Sequence, residues 1–150
     1  MIEKSAKEVF DKVKLQFFRK VFDLVGENDG SLSAQEAFSL EIIHLLHEPT
    51  ISQFADFLKI SQSNATYKIN ALTRKGYIVR QNSEKDRREY HLILSEKFYH
   101  YVSQLTSYER PLMQRLYEQF SEEELATLDR MFQVISEELM EESKESSSGE

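Results

Sequence analysis

The sequence predicts a mainly α-helical protein that carries one small β-hairpin. Apolar residues recur at steps of three and four through most of the 150 residues, which is the period of amphipathic helices. Only between residues 77 and 94 do β-forming residues and an alternating pattern replace that period. With 40% hydrophobic and 30% charged residues, four Gly and two Pro, the composition is that of a helix-rich globular chain.

Two absences restrict the class of protein further. The chain has no Cys, which excludes a disulfide scaffold, a thiolate metal site and a cysteine redox switch. The N-terminal stretch lacks the uninterrupted apolar core of a signal peptide, and no run approaches the roughly 20 apolar residues of a membrane span. We therefore expect a cytoplasmic protein with no membrane contact. Residues 143–150 are polar and Ser-rich, and we predict a disordered tail there.

The first predicted helix covers residues 6–25. Its apolar residues recur at steps of three and four, with Lys and Glu on the opposite face, as in an amphipathic helix. The Gly, Asn and Asp residues at 26–30 then predict a turn. The apolar stripe consists of Phe10, Val13, Phe17, Val21 and Leu24.

A second helix is predicted from a capping-box pattern. Ser33 can accept a hydrogen bond from the amide three residues on, and Glu36 can reach back to the backbone of Ser33. The helix should continue to about His47, because Pro49 disfavours helical backbone in the residue before it.

The next two helices form a helix-turn-helix pattern. Thr50 and Gln53 repeat the capping box and open a short helix, and Ser61 is the N-cap of the following one, which stops at Gly76. Two helices joined by a turn of about three residues make a helix-turn-helix. The predicted inward residues are Phe54, Ala55 and Leu58 in the first helix and Ala65, Ile69 and Leu72 in the second.

A hairpin follows the helix-turn-helix directly. Residues 77–81 and 89–94 are rich in β formers, and a polar turn at 82–87 separates them. A two-stranded ribbon alone is only marginally stable, so this wing must pack on the preceding helices. Residues 31–95 are therefore predicted to form a winged helix-turn-helix core. The side chains expected to attach the wing are Tyr90, Leu92 and Leu94.

The C-terminal part is predicted to be helical and to join a second chain. One long helix should begin at Ser95 and kink near Pro111, and a third capping box at Ser121 and Glu124 should start the last helix. The last helix has a narrow apolar seam of the kind that faces another helix. We therefore predict a helical dimerisation region at 1–30 and 96–142. The seam consists of Leu125, Leu128, Phe132, Ile135 and Leu139.

Charge identifies one segment as a candidate surface for nucleic acid. Residues 59–91 contain eight Lys and Arg against three acids, a local charge of +5 in a chain whose net charge is −7. The remainder therefore carries −12. A basic segment on an acidic body is the electrostatic footprint of a surface that meets phosphate.

The second helix of a helix-turn-helix is the one that enters the major groove of DNA. Its side chains here fit that role, because Gln and Asn can pair with adenine, Ser and Thr can bond base edges or phosphates, and Lys and Arg can reach guanine or phosphate. A helix cap with an ordinary solvated surface explains the same residues on this segment alone. The candidates are Ser61, Gln62, Ser63, Asn64, Thr66, Tyr67, Lys68 and Arg74.

The wing tip strengthens the DNA hypothesis. Lys85, Arg87 and Arg88 lie at the end of a narrow hairpin, where they could enter a minor groove, whose negative potential attracts Arg. Asp86 would repel phosphate, so we expect it to pair with a neighbouring Arg and fix the geometry of the tip. An exposed pair of this kind contributes only about 0 to 1 kcal/mol to stability, so positioning is its expected role.

The segment from Ser61 to Gly76, the hairpin after it and the run Asp86-Arg87-Arg88 resemble the MarR family of bacterial winged-helix regulators. In that family an Asp-x-Arg in the wing precedes a strand that ends in Leu-Thr, and Asp86-x-Arg88 and Leu94-Ser95 hold those positions here. The resemblance implies that Arg88 enters the minor groove with Asp86 as its orienting partner, and that residues 61–68 lie on the recognition helix.

The resemblance also implies a cytoplasmic bacterial homodimer that acts on double-stranded DNA, as a repressor on a pseudo-palindromic operator. One departure is Phe98, where the family commonly has Gly. Family members often bind anionic aromatic compounds between the dimer domain and the winged core, and aromatic residues here suggest such an effector pocket. Core packing explains the same rings. The candidates are Phe17, Phe38 and Tyr101.

Three other functions remain as alternatives or are excluded. His44 and His47 stand three apart on one helix, a spacing that can serve a divalent ion, but two ordinary half-buried His residues explain it as well, and no cofactor is predicted. There is no Ser/His/Asp motif and no Gly-rich phosphate loop, so we expect no enzyme. The rival from another class is an acidic helical adaptor that binds a protein partner and whose wing is incidental.

Overall fold

The computed structural model describes residues 1–26, 31–82, 90–105 and 107–140. Within these residues the chain forms seven α-helices, one two-stranded antiparallel sheet and a terminal π-helical turn, which confirms the predicted mainly helical fold with a wing. The predicted tail at 143–150 lies outside the described residues. The elements are α1 (Ile2–Leu24), α2 (Ala34–Leu45), α3 (Ile51–Leu58), α4 (Gln62–Arg74), β1 (Ile78–Asn82), β2 (Tyr90–Leu94), α5 (Glu96–Leu105), α6 (Glu109–Gln119), α7 (Glu122–Val134) and the π-helical turn Ile135–Leu139.

These elements belong to two compact units, which divide between residues 107 and 108. The first unit holds α1 to α5 and the hairpin, and the second holds α6, α7 and the π-helical turn. Among the helices that the structure describes, none combines the length and apolarity that crossing a membrane requires.

Predicted side-chain caps form at the starts of α2, α3 and α4. Thr50 and Gln53 form both bonds of a capping box at α3, and the Ser61 hydroxyl accepts from the Asn64 amide at 3.1 Å to cap α4. At α2 only half of the predicted box forms. Ser33 accepts from the Glu36 amide, whereas the Glu36 carboxylate pairs with Lys75 at 2.7 Å instead of reaching back.

The end of α2 differs from the prediction by two residues. The helix stops at Leu45, and His47 and Glu48 both have φ of 54°, the left-handed region that non-glycine residues rarely adopt. Pro49 disfavours right-handed helical backbone in the residue before it, and the chain reverses direction there to enter α3.

One apolar core holds the first unit together. Each element from α1 to α5 contributes at least one side chain to it, and the α4 contribution follows the predicted inward positions. The most fully buried of these side chains are Val21, Leu40, Ile43, Phe54, Ala65, Ile69, Leu72, Leu92 and Phe98.

The wing is attached by both backbone and side-chain contacts. β1 and β2 pair from Ile78 opposite Leu94 to Asn82 opposite Tyr90, and the Leu92 amide donates to the Pro49 carbonyl at 2.8 Å. Leu92 is fully buried, as predicted. The prediction that Tyr90 packs inward is wrong, because Tyr90 lies at the far end of the ribbon and is 40% exposed.

Two predictions about the outer helices need correction. α1 begins at Ile2, and only its C-terminal part reaches the core, through Val21 and Phe17, while Phe10 stays exposed.

The single helix predicted from Ser95 is instead α5 followed by α6. Pro111 lies in the first turn of α6 and does not kink a longer helix, because a proline there removes no intrahelical hydrogen bond.

The second unit leaves its apolar residues on the surface of the single chain. α7 begins with the predicted capping box of Ser121 and Glu124. None of the side chains described between 108 and 140 is buried. Within the predicted seam, Phe132 is 59% exposed and Leu139 is 72% exposed.

Candidate nucleic-acid interface

The orientation of α4 follows from the side chains that it buries. Ala65, Ile69 and Leu72 are at most 1% exposed, so the opposite face of the helix must point away from the core. The predicted residues near the start of α4 lie on or beside that outer face. Ser61, Gln62, Ser63, Asn64 and Tyr67 are exposed, and Thr66 and Lys68 are half-buried.

The structure does not bring every candidate on α4 together. Arg74 is exposed but is the last residue of α4, about three turns beyond Ser61. It therefore lies at the opposite end of the helix from the cluster at 61–68. The predicted wing-tip residues Lys85, Asp86, Arg87 and Arg88 lie outside the described residues.

Hydrogen bonds at the start of α4 determine which polar atoms remain available. The Thr66 hydroxyl donates to the Gln62 carbonyl at 2.9 Å, and the Ser61 and Ser63 hydroxyls are 3.2 Å apart. An unpredicted bond joins the two helices of the motif: the Ser52 hydroxyl on α3 donates to the Gln62 side-chain oxygen at 3.3 Å. Residues ten apart carry no periodic signal that would have revealed this pair.

The C-terminal end of α4 is anchored by two lysines, Lys75 of the basic segment and Lys97 of α5. Lys75 Nζ lies 2.7 Å from Glu36 Oε2 and 2.6 Å from the Ser31 carbonyl, and all three groups are half-buried. Lys97 Nζ donates to the Lys75 carbonyl at 2.7 Å. Lys75 is therefore a structural cation, although its charge contributed to the +5 that singled out this segment.

The turn after α4 is fixed by a glycine and a serine. Gly76 has φ of 85°, a left-handed conformation that glycine adopts without steric cost at a helix end. The Ser95 hydroxyl donates to the Gly76 carbonyl at 2.6 Å, so the residue before α5 fixes the turn that follows α4. Lys97 also lies over the Tyr77 ring, 4.5 Å from its centroid.

The three candidate effector residues fall into two aromatic clusters. The Phe17 and Phe38 ring centroids are 6.1 Å apart. Tyr101 instead packs against Tyr77 at 6.0 Å and against Phe98 at 6.4 Å. Phe98 is thus fully buried within the second cluster, and the chain accommodates this departure from the family pattern as a core residue.

Tyr101 carries a buried polar atom without a partner. Its side chain is 8% exposed, and its hydroxyl has no hydrogen-bond partner among the described residues. Burial raises the pKa of Tyr101 to about 12, with smaller contributions from Tyr77 and Glu41. The phenol is therefore neutral and is the kind of group that a polar atom of a ligand would satisfy.

His44 of α2 and His47, two residues after its end, line a cavity. This cavity has a volume of about 280 Å³ and is bounded by the end of α2, by β2 and by α5. His44 packs against Phe98 at 5.3 Å between ring centroids. In the described part of the chain, no three His, Cys, Asp or Glu residues are grouped so as to hold a metal ion. The cavity is lined by Ile43, His44, His47, Glu48, Leu92, Leu94 and Tyr99.

Comparison with known proteins gives a consistent result. Residues 32–90, which include α2, α3, α4 and β1, match the model of the MarR family. FabT of Streptococcus pneumoniae, solved in complex with DNA, is 26% identical and aligns over 92% of this chain and 94% of its own, with a TM-score of 0.59. No curated protein matches the chain.

Two further solved structures have the same fold. A MarR-like transcriptional regulator of Thermotoga maritima is 25% identical over 91% of this chain and 98% of its own, with a TM-score of 0.56. A variant of MepR from Staphylococcus aureus, bound to an oligodeoxyribonucleotide, is 19% identical over 93% of this chain and 98% of its own, with a TM-score of 0.54. The last likeness concerns the fold alone.

We expect Tyr101→Phe to stabilise the protein in the absence of any ligand. The substitution removes a buried hydroxyl without a partner and keeps the ring, so the free energy of unfolding at pH 7 should rise by about 1 kcal/mol. Tyr99→Phe is the matched control, because Tyr99 is on the same helix and 53% exposed. Urea unfolding at one fixed protein concentration measures both.

The difference between Tyr101→Phe and the unmutated protein should grow in alkali. The folded-state pKa of Tyr101 is raised from 10.0 to about 12, so between these values the unfolded chain loses this proton while the folded chain keeps it. Below pH 10 the folded and unfolded chains both keep this proton, so the free energy of unfolding does not depend on its titration. Between pH 10 and about 12 the free energy of unfolding of the unmutated protein falls as the pH rises. A loss of stability in Tyr101→Phe at pH 7 would contradict the assignment of an unpartnered hydroxyl.

Proposed function

Because the chain belongs to the MarR family of DNA-binding transcriptional regulators, we propose that it acts as a homodimer that represses transcription from a pseudo-palindromic operator. Membership also identifies the chain as a regulator and not as an enzyme. The site of action would be the bacterial cytoplasm, where the operator is.

The observation that carries the proposal is the outer face of α4. A helix that buries Ala65, Ile69 and Leu72 presents Gln62, Ser63 and Asn64 outward at its N-terminal end. Residues near the N-terminus of a recognition helix are those that contact base edges in the major groove. The crystallised complex of FabT with DNA supports the same role for a related chain.

The other candidates would position the protein on the duplex. Half-buried Lys68 and exposed Arg74 would contact phosphates on either side of the groove. In this proposal Lys85, Arg87 and Arg88 enter the minor groove, with Asp86 orienting Arg88. Ser61, Thr66 and Tyr67 supply hydroxyl contacts to phosphates or base edges.

Two copies are needed for such an operator to be read. Recognition helices of a dimer must enter successive major grooves, roughly 34 to 36 Å apart. Apolar residues on α1, α6 and α7 support dimerisation, because a single chain leaves Phe10, Tyr117 and Phe132 between 59% and 68% exposed. Burial of such residues on a second copy is the arrangement that the proposed dimerisation region at 1–30 and 96–142 would provide.

An effector would act by changing the spacing of the two winged cores. A ligand shifts such an equilibrium only if it binds one spacing better than the other. The aromatic pair Phe17 and Phe38 and the unpartnered hydroxyl of Tyr101 support a small aromatic or anionic compound as the effector. A metal effector has no comparable support, since no three His, Cys, Asp or Glu residues in the described part of the chain are grouped so as to hold an ion.

Salt-dependent binding to duplex DNA tests the proposal directly. An operator is first selected from a random duplex pool, and the affinity is then measured over a range of salt concentrations. The logarithm of the binding constant should fall with the logarithm of salt concentration, with a slope of about −0.9 per phosphate contacted. Lys68→Ala should reduce the magnitude of the slope by about 1, as for loss of one phosphate contact.

Lys12→Ala is the control for charge, because Lys12 is an exposed cation on α1, away from α4. It should leave the slope unchanged. Arg88→Ala should weaken binding at the wing. The absence of salt-sensitive binding to any selected duplex, together with no effect of Arg88→Ala, would favour the adaptor and refute the regulator.

We expect the protein to sediment as a dimer at micromolar concentration. Phe132→Glu places a charge on the α7 seam and should weaken self-association by at least about tenfold, since an unpaired charge is costly to bury. Phe57→Glu makes the same change at a position that is 51% exposed on α3 and should leave the dimer intact. A monomer for the unmutated chain in analytical ultracentrifugation would contradict the proposed dimer.

A further inference from the structure

We infer that Ser52 is a positioning residue for DNA recognition, which holds the Gln62 amide in one orientation toward the base that it meets. The inference rests on the proposed function, because it concerns how α4 would read an operator. It adds a residue outside α4 to the proposed contacts.

The bond between Ser52 and Gln62 connects the two helices of the helix-turn-helix at their N-terminal ends. Ser52 is the second residue of α3 and Gln62 is the first residue of α4. The Ser52 hydroxyl donates to Gln62 Oε1 at 3.3 Å. Both residues are exposed, so the pair lies on the surface from which the start of α4 projects.

The capping groups around this pair are engaged elsewhere. The Thr50 hydroxyl accepts from the Gln53 amide, and the Gln53 side chain accepts from the Thr50 amide, so the α3 capping box does not use Ser52. At α4 the cap is the Ser61 hydroxyl, which accepts from the Asn64 amide. Ser52 therefore caps neither helix, and its hydroxyl is available to bind the Gln62 side chain.

The bond to Ser52 leaves Gln62 able both to accept and to donate. A glutamine oxygen has two lone pairs, and the Ser52 hydroxyl occupies one of them. The second lone pair and the N–H groups of Nε2 remain for a base. In the major groove, adenine offers the N6 donor and the N7 acceptor that match this pair of groups, whereas guanine and thymine offer acceptors there.

The consequence is a base preference that depends on Ser52. An amide that rotates freely can present its oxygen and nitrogen together or its nitrogen alone, so it discriminates weakly between bases. With the amide held by Ser52, adenine should be preferred at the base position that Gln62 contacts. Loss of the Ser52 hydroxyl should release the amide and let guanine or thymine compete.

The experiment measures the affinity of the full chain for a selected operator and for duplexes with each of the four bases at every half-site position. Gln62→Ala first identifies the position whose preference depends on Gln62. At that position the unmutated protein should favour adenine over guanine or thymine by roughly tenfold, within the range for one base contact. Ser52→Ala should reduce that ratio at least about threefold, and Ser52→Thr, which keeps a hydroxyl, should retain it.

The salt slope separates this inference from the proposed function. Ser52→Ala should leave the slope unchanged, because no phosphate contact is altered. If Ser52→Ala keeps the original base preference, if the unmutated protein favours guanine or thymine, or if Gln62→Ala changes no position, the inference is wrong while salt-sensitive specific binding preserves the regulator. If no duplex binds in a salt-sensitive way, both are refuted.

Discussion

Burial of one stripe of α4 is the constraint on which the other features depend. Ala65, Ile69 and Leu72 are almost completely removed from solvent against the core that α2, α3 and β2 supply. With that face fixed, the polar residues at 61–68 have only the outer face and its edges to occupy. The same constraint brings the start of α4 beside α3, which allows Ser52 to reach Gln62. Recognition chemistry at this surface is thus a consequence of core packing.

The other end of α4 is fixed by polar contacts and is continuous with α5. Lys75 is held by Glu36 from α2, and Lys97 of α5 donates to the Lys75 carbonyl. Tyr77 lies between these groups and Tyr101, 6.0 Å from its ring. A ligand that satisfied the Tyr101 hydroxyl would therefore act one ring away from the end of α4. This proximity gives a physical basis for the proposal that an effector moves the winged core.

Local patterns predicted those features that depend on neighbouring residues. Three helix caps join residues within one helical turn, so the sequence predicts them. They are formed by Thr50 with Gln53, Ser61 with Asn64 and Ser121 with Glu124. Features that join distant residues were not. The Glu36 carboxylate does not form its predicted cap, because it pairs with Lys75, 39 positions away. The break between α5 and α6 was missed because one apolar period runs through both helices.

The central claim, that α4 meets DNA through its N-terminal half, is tested most directly by amide hydrogen exchange with and without a selected operator. Residues 61–68 and the wing should exchange more slowly in the complex, while α6 and α7 should exchange at the same rate in both states. That result would place the duplex against the surface that core packing leaves outward. Protection confined to α6 and α7, with none at 61–68, would contradict the claim.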